Sequence, residues 1–381
     1  MLILLQTCYR SELADIVTMR RVRERDVVCL LLLTLLILYL LMWFWFGSLQ
    51  PASSVFLNYE VDKMLGQERQ GKVKESRSNL DVVTVAGLGQ RRLCPLGSFR
   101  LSKMETCMPW LGCKEITNEV TIKLNIGSGT VKKVYKAVWR NHTVAYSRLK
   151  NTTYFEDFSE GIEMLKTLQH PSVLQFVGSC NTTLLTEFYK FGSANFFIKK
   201  VLKLYSYRKF DNVRTRFNMA LSYLEAIHSL HNSPVGTRVM CDSNSVHKSL
   251  TQFLVTQDFK LVLSDLDATP EVNHEANLFI KCGSRRIVSD FVAPEQLWPF
   301  ENETFDDSRM PSYDEKTDIW KIPGVVDYLL GKVNGSEVIR LHLFKVHQQC
   351  HNRDPRQRPT TKVLLEEYNR VKNMFFPEHI T

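Results

Sequence analysis

The sequence has no clustered basic stripe, no Cys-x-x-Cys pair and no internal repeat, and these absences disfavour several classes of protein. The net charge of +9 comes from 49 scattered lysines and arginines, without the interleaved basic and aromatic residues of a nucleic-acid surface or a basic channel. Without Cys-x-x-Cys pairs, the nine cysteines do not favour a structural zinc site. What remains is a chain of 381 residues, enough for one large domain or for two lobes with an apolar core.

Charge is also missing from one continuous segment, Val27–Phe46. Its 20 residues match the thickness of a bilayer core, and two tryptophans lie near its end, where an aromatic belt would form. Four arginines precede it and no lysine or arginine follows until Lys63, so the positive-inside rule places the N-terminus in the cytosol. A cleaved signal peptide is the rival interpretation, but the run is too long and Gly47-Ser48 is a poor cleavage site. We therefore predict a single-pass type II protein with a cytosolic tail (1–26), a transmembrane helix (27–46) and a flexible polar stem (47–93).

Seven cysteines follow this segment, an odd number that leaves at least one free thiol or an intermolecular bond. The sequence alone leaves their pairing open: Cys94, Cys107, Cys113, Cys180, Cys241, Cys282 and Cys350. The first three predict a stapled extension over residues 94–114, ahead of the main domain. Five Asn-x-Ser/Thr sequons fit a lumenal location for this part of the chain: Asn141, Asn151, Asn181, Asn302 and Asn334.

Hydrophobic periodicity divides the rest of the chain into a β-rich part and a helical part. Over residues 115–188, short β-rich stretches alternate with one helical segment around Asp157–Leu168. From residue 189 helical patterns dominate, and one long helix has apolar residues at three- and four-residue spacing: Phe217, Ala220, Leu221, Leu224, Ile227 and Leu230. We therefore predict an α+β fold with a small mixed lobe (115–188) and a larger helical lobe (189–381).

A glycine-rich turn within Ile126–Tyr135 lies between two predicted strands of the small lobe. Gly127 and Gly129, with Ser128 between them, would let backbone N–H groups approach a phosphate closely, and Val134 would cover an adenine ring. A Gly-x-Gly pair alone is weak support for a nucleotide site, and a plain hairpin turn is the alternative. The residues downstream decide between the two interpretations.

Seven motifs follow in order along the chain: Leu168-Gln169-His170-Pro171, Leu184–Tyr189 with Gly192-Ser193, Val239–Asp242, Asp265–Asp267, Ala293-Pro294-Glu295, Tyr313–Trp320 and Arg358-Pro359-Thr360. Their order resembles that of the eukaryotic protein kinases, from about residue 115 to residue 372. Val239–Asp242 stands in for the usual His-Arg-Asp, and Asp265–Asp267 for Asp-Phe-Gly. These two replacements make the chain similar, within that superfamily, to the secretory-pathway kinases that phosphorylate O-linked mannose.

The resemblance also implies roles for residues outside the chemistry. Glu187 and Tyr189 would lie in the hinge that holds adenine between the lobes. Glu295 and Arg358 would form the buried ion pair of the large lobe, whose loss should unfold the protein. Asp318 would hold the backbone of the catalytic loop.

The lysine that protein kinases carry on their third strand is missing, because the Val-Ala-x-Lys motif reads Val144-Ala145-Tyr146-Ser147 here. The resemblance implies that Ala145 lies in the ATP site. Lys132, at the third-glycine position of the loop, would supply the cation from the neighbouring strand, as in the kinases named for lacking the usual lysine. The alternative interpretation is that Lys132 is solvated, like Lys133. An ATP site without a lysine, however, would lack the cation that contacts the nucleotide phosphates.

The glutamate that normally pairs with this lysine is displaced as well. Counting back from His170-Pro171 places Gly161 at its position on the small-lobe helix. Asp157 lies one turn earlier on the same face and is the predicted partner of the relocated lysine. The alternative for Asp157 is a residue that only complements the charge at the helix N-terminus.

Four residues would carry the phosphoryl transfer and hold the metal. Asp242 fits the aspartate that orients the acceptor hydroxyl and takes its proton, but the lysine expected two residues later is Asn244, in a loop five residues longer than usual. Thirteen residues before Asp265 stands Gln252, whose amide oxygen would replace that of the metal-binding asparagine. Asp265 would be the principal metal ligand, and Asp267 a second carboxylate ligand or a cap of the next segment.

The resemblance implies an ATP-dependent carbohydrate kinase that uses Mg²⁺, or Mn²⁺ in its place. Its acceptor would be the 6-hydroxyl of mannose in an O-linked GalNAc-GlcNAc-Man trisaccharide on α-dystroglycan, reached from the endoplasmic reticulum membrane with the catalytic domain in the lumen. No residue independently indicates sugar specificity, and His247 and Lys248 of the long catalytic loop are predicted to be solvated rather than glycan contacts. The alternatives are a secretory-pathway Ser/Thr protein kinase and a catalytically dead scaffold. Because both aspartates, the glycine loop and a compensating lysine survive, we favour an active enzyme.

Overall fold

The structure is a computed structural model that describes residues 94–102 and 104–377. The tail, transmembrane helix and stem predicted over 1–93 lie outside the described residues. Among the helices of the described part, none combines the length and the apolar character needed to cross a bilayer.

Eleven strands and eight α-helices are assigned within these residues. The strands are β1 (Ser98–Phe99), β2 (Met108–Pro109), β3 (Val120–Ser128), β4 (Lys132–Trp139), β5 (His142–Leu149), β6 (Phe176–Cys180), β7 (Thr183–Glu187), β8 (Thr237–Arg238), β9 (Phe253–Val255), β10 (Leu261–Leu263) and β11 (Glu271–Val272). The helices are α1 (Cys113–Glu119), α2 (Phe155–Thr167), α3 (Ala194–Phe196), α4 (Val213–His231), α5 (Val246–Thr251), α6 (Lys316–Leu330), α7 (Ser336–Cys350) and α8 (Thr361–Phe375).

The small lobe is an antiparallel five-stranded sheet in the order β3-β4-β5-β7-β6, with helix α2 between β5 and β6 in the chain. Residues paired across neighbouring strands point to the same face of a sheet, because side chains alternate along each strand. Ala137, Trp139 and Val144 are buried on one face of β4 and β5. The alternate residues of β4, beginning with Lys132, therefore face the opposite side.

The cysteine-containing extension covers that buried face of the sheet. Phe99 and Leu111 of the extension join Trp139 in a separate apolar cluster. Cys94 is bonded to Cys107. The sequence left the partner of the third cysteine open, and Cys113 is bonded across 67 residues to Cys180 on β6. The second bond attaches the extension to the sheet.

The large lobe is built around α4, which packs against α6, α8 and β10. The apolar face predicted from periodicity is confirmed, since all six of its residues are buried: Phe217, Ala220, Leu221, Leu224, Ile227 and Leu230. A third disulfide joins Cys241 to Cys282. Cys350 is the free cysteine of the described part and is buried. The predicted α+β architecture, with a sheet lobe followed by a helical lobe, is confirmed.

Two buried polar clusters hold the large lobe as the motifs predicted. Arg358 donates to both carboxylate oxygens of Glu295, at 2.5 and 2.9 Å. Asp318 accepts the backbone N–H of Met240 in the catalytic loop at 2.9 Å. Lys321, one turn further along α6, donates to Ser243 Oγ at 2.6 Å. Helix α6 therefore contacts the catalytic loop on both sides of Asp242, through the Met240 backbone and the Ser243 side chain.

Replacing Arg358 with methionine is expected to lower the free energy of unfolding by about 3–5 kcal/mol, because it leaves Glu295 without its buried partner. The guanidinium also donates to the carbonyl oxygens of Asn352 and Lys316, and these acceptors would lose their bonds too. Chemical denaturation measures the change. Arg356→Met is the control, since Arg356 is exposed and pairs with Asp354 at the surface, and little or no change is expected there. Similar effects of the two substitutions would contradict the assigned role of Arg358.

Candidate active site

The register of the small-lobe sheet places Lys132 on the face where a kinase lysine is needed. Lys132 is paired with Leu149, and Val134 with Ser147, the position that carries lysine in protein kinases. Lys132, Val134 and Ser147 therefore share one face of the sheet, as does Ala145, which is paired with Lys136. The lysine of this chain thus lies on β4 rather than at the Ser147 position on β5, but it projects from the same face of the sheet.

The turn between β3 and β4 contains the glycine-rich loop. Gly127 is paired with Val134, and Ser128 with Lys133, so both glycine-loop residues belong to the end of β3. Gly129 lies in the turn and its N–H donates to the carbonyl oxygen of Lys132 at 2.9 Å. The hairpin-turn geometry and the nucleotide-loop interpretation are thus compatible in this chain.

Lys132 bridges the two lobes through the Asp-Leu-Asp segment. Its Nζ lies 2.9 Å from Asp265 Oδ1 and 3.0 Å from Asp267 Oδ2. Among the described residues these are its ion-pair partners, and the pair predicted between Lys132 and Asp157 is not formed. Asp157 is exposed on the first turn of α2, as expected for a residue that complements the helix N-terminus.

Burial and charge oppose each other in this cluster. Burial lowers the pKa of Lys132, but the charges of Asp265 and Asp267 outweigh it, so the pKa of the ammonium is raised. For Asp265, burial acts to raise the pKa, but the charge and hydrogen bond of Lys132 bring the pKa below its ordinary value. For Asp267, burial raises the pKa to about 7, and the nearby charge of Asp265 acts in the same direction against the attraction of Lys132. Two carboxylates thus share one cation.

Gly161 explains how Asp267 replaces the missing helix glutamate. A Cβ atom added to Gly161 would lie 2.1 Å from Asp267 Oδ1, which is too close for any side chain. The position that carries the glutamate in other kinases is therefore empty, and the carboxylate enters it from the Asp-Leu-Asp segment. Asp267 therefore supplies the negative charge that pairs with Lys132, and it does so from the large lobe.

Replacing Gly161 with alanine is expected to reduce turnover by about 10²-fold, because the new methyl group must displace Asp267 from Lys132. Stability should fall as well, because Asp267 loses its largely buried bond to Lys132, and the roughly 0.5–1 kcal/mol by which alanine favours a helix over glycine offsets only part of this. Steady-state kinetics and a denaturation curve on the same preparation separate the two effects. Ser159→Ala, on the far side of α2 from Gly161, is the control and should keep full turnover. Unchanged turnover in G161A would show that the position of Asp267 is unimportant.

The catalytic loop holds the Asp242 side chain through one of its oxygens. Gln252 Nε2 donates to Asp242 Oδ2 at 2.8 Å and to the backbone oxygen of Asp242 at 3.0 Å. Lys248 Nζ lies 2.7 Å from the same Oδ2. In the part of the chain that the structure describes, these contacts all leave Asp242 Oδ1 available to accept the proton of a hydroxyl group.

Gln252 also connects Asp242 to the Asp-Leu-Asp segment. Its backbone oxygen accepts the N–H and the hydroxyl of Ser264, each at 2.8 Å, next to Asp265. Because Gln252 uses its amide N–H groups on Asp242, its amide oxygen keeps the chemistry of a metal ligand. We found no donor to that oxygen within residues 94–102 and 104–377.

The donor set fits a magnesium ion. Mg²⁺ prefers oxygen ligands, and Asp265, Asp267 and Gln252 supply two carboxylates and one amide oxygen. Two carboxylates face the single positive charge of Lys132, and burial together with the nearby charge of Asp265 raises the pKa of Asp267. A divalent cation bound by these residues would compensate the second carboxylate charge and, once bound, would neutralise charge on the nucleotide phosphates.

The predicted adenine-side residues end the central strands. Glu187 is the last residue of β7 and is buried, and its N–H donates to the backbone oxygen of Gln175 at 3.1 Å. Tyr189, two residues later, donates its hydroxyl hydrogen to Glu187 Oε2 at 2.9 Å. Three features of the site were not found from sequence: the pairing of Asp267 with Lys132, the contact of Lys248 with Asp242, and the disulfide that links Cys241 to Cys282. The uncommon spacing of the catalytic loop was the available signal for the second.

Comparison with known proteins agrees with the order of the motifs. The sequence profile of protein tyrosine and serine/threonine kinases matches residues 120–326. The chain is 45% identical over 281 residues to the protein O-mannose kinase of Homo sapiens, covering 73% of this chain and 80% of the relative. It is 44% identical over 289 residues to that of Gallus gallus, with 75% and 82% covered. The same enzyme of Xenopus laevis is 44% identical over 292 residues, again with 75% and 82% covered.

Proposed function

The chain belongs to the protein O-mannose kinases of the protein-kinase superfamily, and from this premise we propose that it phosphorylates the 6-hydroxyl of O-linked mannose with ATP. The proposed acceptor is a GalNAc-GlcNAc-Man trisaccharide on α-dystroglycan. The observation that carries the phosphotransferase activity is the cluster of Lys132, Asp265 and Asp267 on the cleft face of the sheet. The choice of mannose rests on the relatives, whose names state their substrate.

Asp242 acts on the acceptor in the proposed reaction. Its Oδ1 accepts the proton of the attacking hydroxyl, while Gln252 and Lys248 hold Oδ2. The acceptor oxygen forms a bond to the γ-phosphorus as the bond to the ADP oxygen breaks. Helix α6 keeps this loop in position through the bond from the Met240 N–H to Asp318.

Lys132 acts on the nucleotide side. It stays protonated, because its two carboxylate partners raise its pKa, and it supplies a fixed positive charge for the phosphates. The glycine loop from Gly127 to Gly129 precedes it in the hairpin. The N–H groups of Gly127 and Gly129 donate to Asn125 Oδ1 and to the Lys132 carbonyl oxygen, and they would exchange these acceptors for phosphate oxygens when nucleotide binds. Val134 and Ala145, on the same face, would cover the adenine ring, with the Glu187–Tyr189 hinge at its edge.

We also propose that the kinase domain lies in the lumen of the endoplasmic reticulum, anchored by the predicted helix over 27–46. Three disulfides support an oxidising compartment. All five sequon asparagines are exposed, so each is accessible to a glycosyl transferase: Asn141, Asn151, Asn181, Asn302 and Asn334.

Phosphate transfer from radiolabelled ATP with Mg²⁺ tests this function. The purified protein is offered the trisaccharide, the trisaccharide with a 6-deoxymannose and a Ser/Thr-rich peptide. We expect transfer to the first acceptor alone. Transfer to the peptide would establish a protein kinase instead, and bound ATP without any transfer would establish a scaffold.

A further inference from the structure

The catalytic loop of this chain lacks a lysine that protein kinases carry and has a lysine at a different position. The residue two positions after Asp242, where protein kinases carry a phosphate-contacting lysine, is Asn244. Six positions after Asp242, Lys248 places its Nζ 2.7 Å from Asp242 Oδ2. The longer loop therefore places an ammonium group in contact with the catalytic aspartate.

Helix α5 fixes the place from which Lys248 reaches Asp242. The hydroxyl of Ser245 accepts the N–H of Lys248 at 3.2 Å and begins the helix. Ser249 and Leu250, the next two residues, are completely buried, and the helix packs against α3, α6 and β9. Gln252 ends the helix and contacts the same Asp242 oxygen. The inserted segment is therefore an anchored element rather than a free surface loop.

The ammonium of Lys248 lies where the acceptor side and the phosphate side of the site meet. It pairs with Asp242 Oδ2, to which Gln252 Nε2 also donates. The backbone oxygen of Gln252 accepts the N–H of Ser264, the residue next to Asp265. Both side chains of the Lys248–Asp242 pair are 45% exposed, so the pair contributes little to stability. A role in the reaction explains this position better than a role in folding.

We propose that Lys248 is the catalytic-loop cation of this enzyme, replacing the lysine that is missing at Asn244. It holds Oδ2 of Asp242, which leaves Oδ1 for the acceptor hydroxyl, and it neutralises the phosphoryl group during transfer. In this step the acceptor O–P bond forms and the bond from the γ-phosphorus to ADP breaks. The hydroxyl proton goes to Asp242, and Lys248 keeps its own proton throughout. The inference rests on phosphoryl transfer and is independent of which acceptor is used.

The competing role for Lys248 is contact with the acceptor glycan, and the two roles predict different kinetics. A cation for the phosphoryl group acts mainly on kcat and distinguishes ATP from ADP. A glycan contact acts on the KM of the acceptor and is indifferent to the nucleotide. Binding of nucleotide without acceptor separates this question from the identity of the sugar.

The test compares Lys248→Met, Lys248→Arg and the control Lys362→Met, an exposed lysine on helix α8. Two measurements are made: kinetics with ATP, Mg²⁺ and the trisaccharide, and calorimetric binding of Mg-AMP-PNP and Mg-ADP. We expect Lys248→Met to lower kcat about 10²-fold with little change in the acceptor KM. The preference for AMP-PNP over ADP should fall about tenfold for the loss of one charged contact. Lys248→Arg should recover part of kcat and part of the preference for AMP-PNP. The control should behave as the parent protein.

Two results would overturn the proposal. A rise in the acceptor KM alone, with kcat and the nucleotide preference unchanged, would assign Lys248 to the glycan. Unchanged values in all measurements would make it a solvated lysine. If no acceptor is phosphorylated, the proposed acceptor fails, while the AMP-PNP to ADP ratio still decides the role of Lys248.

Discussion

An Asp242→Asn variant is expected to lose about 10²–10⁴-fold in kcat, the usual contribution of a general base, while it still binds ATP. Asparagine keeps an oxygen that can accept from Gln252 and Lys248, so the loop should keep its shape. It cannot take the proton of the acceptor hydroxyl. The measurements are phosphate transfer to the trisaccharide and calorimetric binding of Mg-AMP-PNP.

Asp258→Asn is the matched control, because it removes the same charge from an exposed aspartate in the turn between β9 and β10. We expect it to retain parental turnover. Equal activity of D242N and the parent protein would remove Asp242 from the mechanism. Loss of both turnover and nucleotide binding would instead indicate that the variant is misfolded, and a melting curve would verify this.

A Lys132→Met variant is expected to lose about 10²–10³-fold in kcat/KM for ATP, the range seen when one preorganised electrostatic contact is removed. The substitution removes the cation that neutralises the phosphates and leaves Asp265 and Asp267 as unpaired neighbours. Their mutual repulsion then favours protonation of one of them, because two adjacent carboxylates cannot both ionise easily. A divalent cation relieves the same repulsion, so Mg²⁺ binding should be retained while kcat/KM for ATP falls, and titration of Mg²⁺ at fixed ATP would measure this.

Lys133→Met is the control for Lys132, since Lys133 is the next residue on β4, is exposed and faces the other side of the sheet. It should keep the parental kcat/KM. A comparable loss in K133M would mean that net charge in the glycine hairpin matters and that the bridge to Asp265 does not.

The sequence predicted the sites that depend on local chemistry. Lys132 stood out because a loop position normally held by glycine carried a charge in a chain that lacked the usual lysine. Arg358 and Glu295 were predicted from motifs, and their ion pair is confirmed. The type and position of Lys132 contained this information locally, whereas the pairing of Arg358 with Glu295, 63 residues away, came from the resemblance to protein kinases.

Other contacts depend on which distant segments meet, and these were missed. Asp157 was chosen as the partner of Lys132 because it lies on the correct helix face, yet the empty space at Gly161 admits Asp267 from the other lobe. Helical geometry describes positions along one element and carries no information on what packs against it. The pairing of Cys113 with Cys180 was open for the same reason, since the two cysteines are 67 residues apart.

The disulfide beside the catalytic aspartate has a consequence for how the kinase becomes active. In many protein kinases a phosphate added after synthesis orders the activation segment by pairing with arginine side chains. Here the arginine position of His-Arg-Asp is Cys241, and it is bonded to Cys282 between the Asp-Leu-Asp and Ala-Pro-Glu motifs. The segment is thus attached covalently to the loop that carries out the transfer. The disulfide therefore holds the activation segment against the catalytic loop at the position where the arginine of His-Arg-Asp would pair with a phosphate.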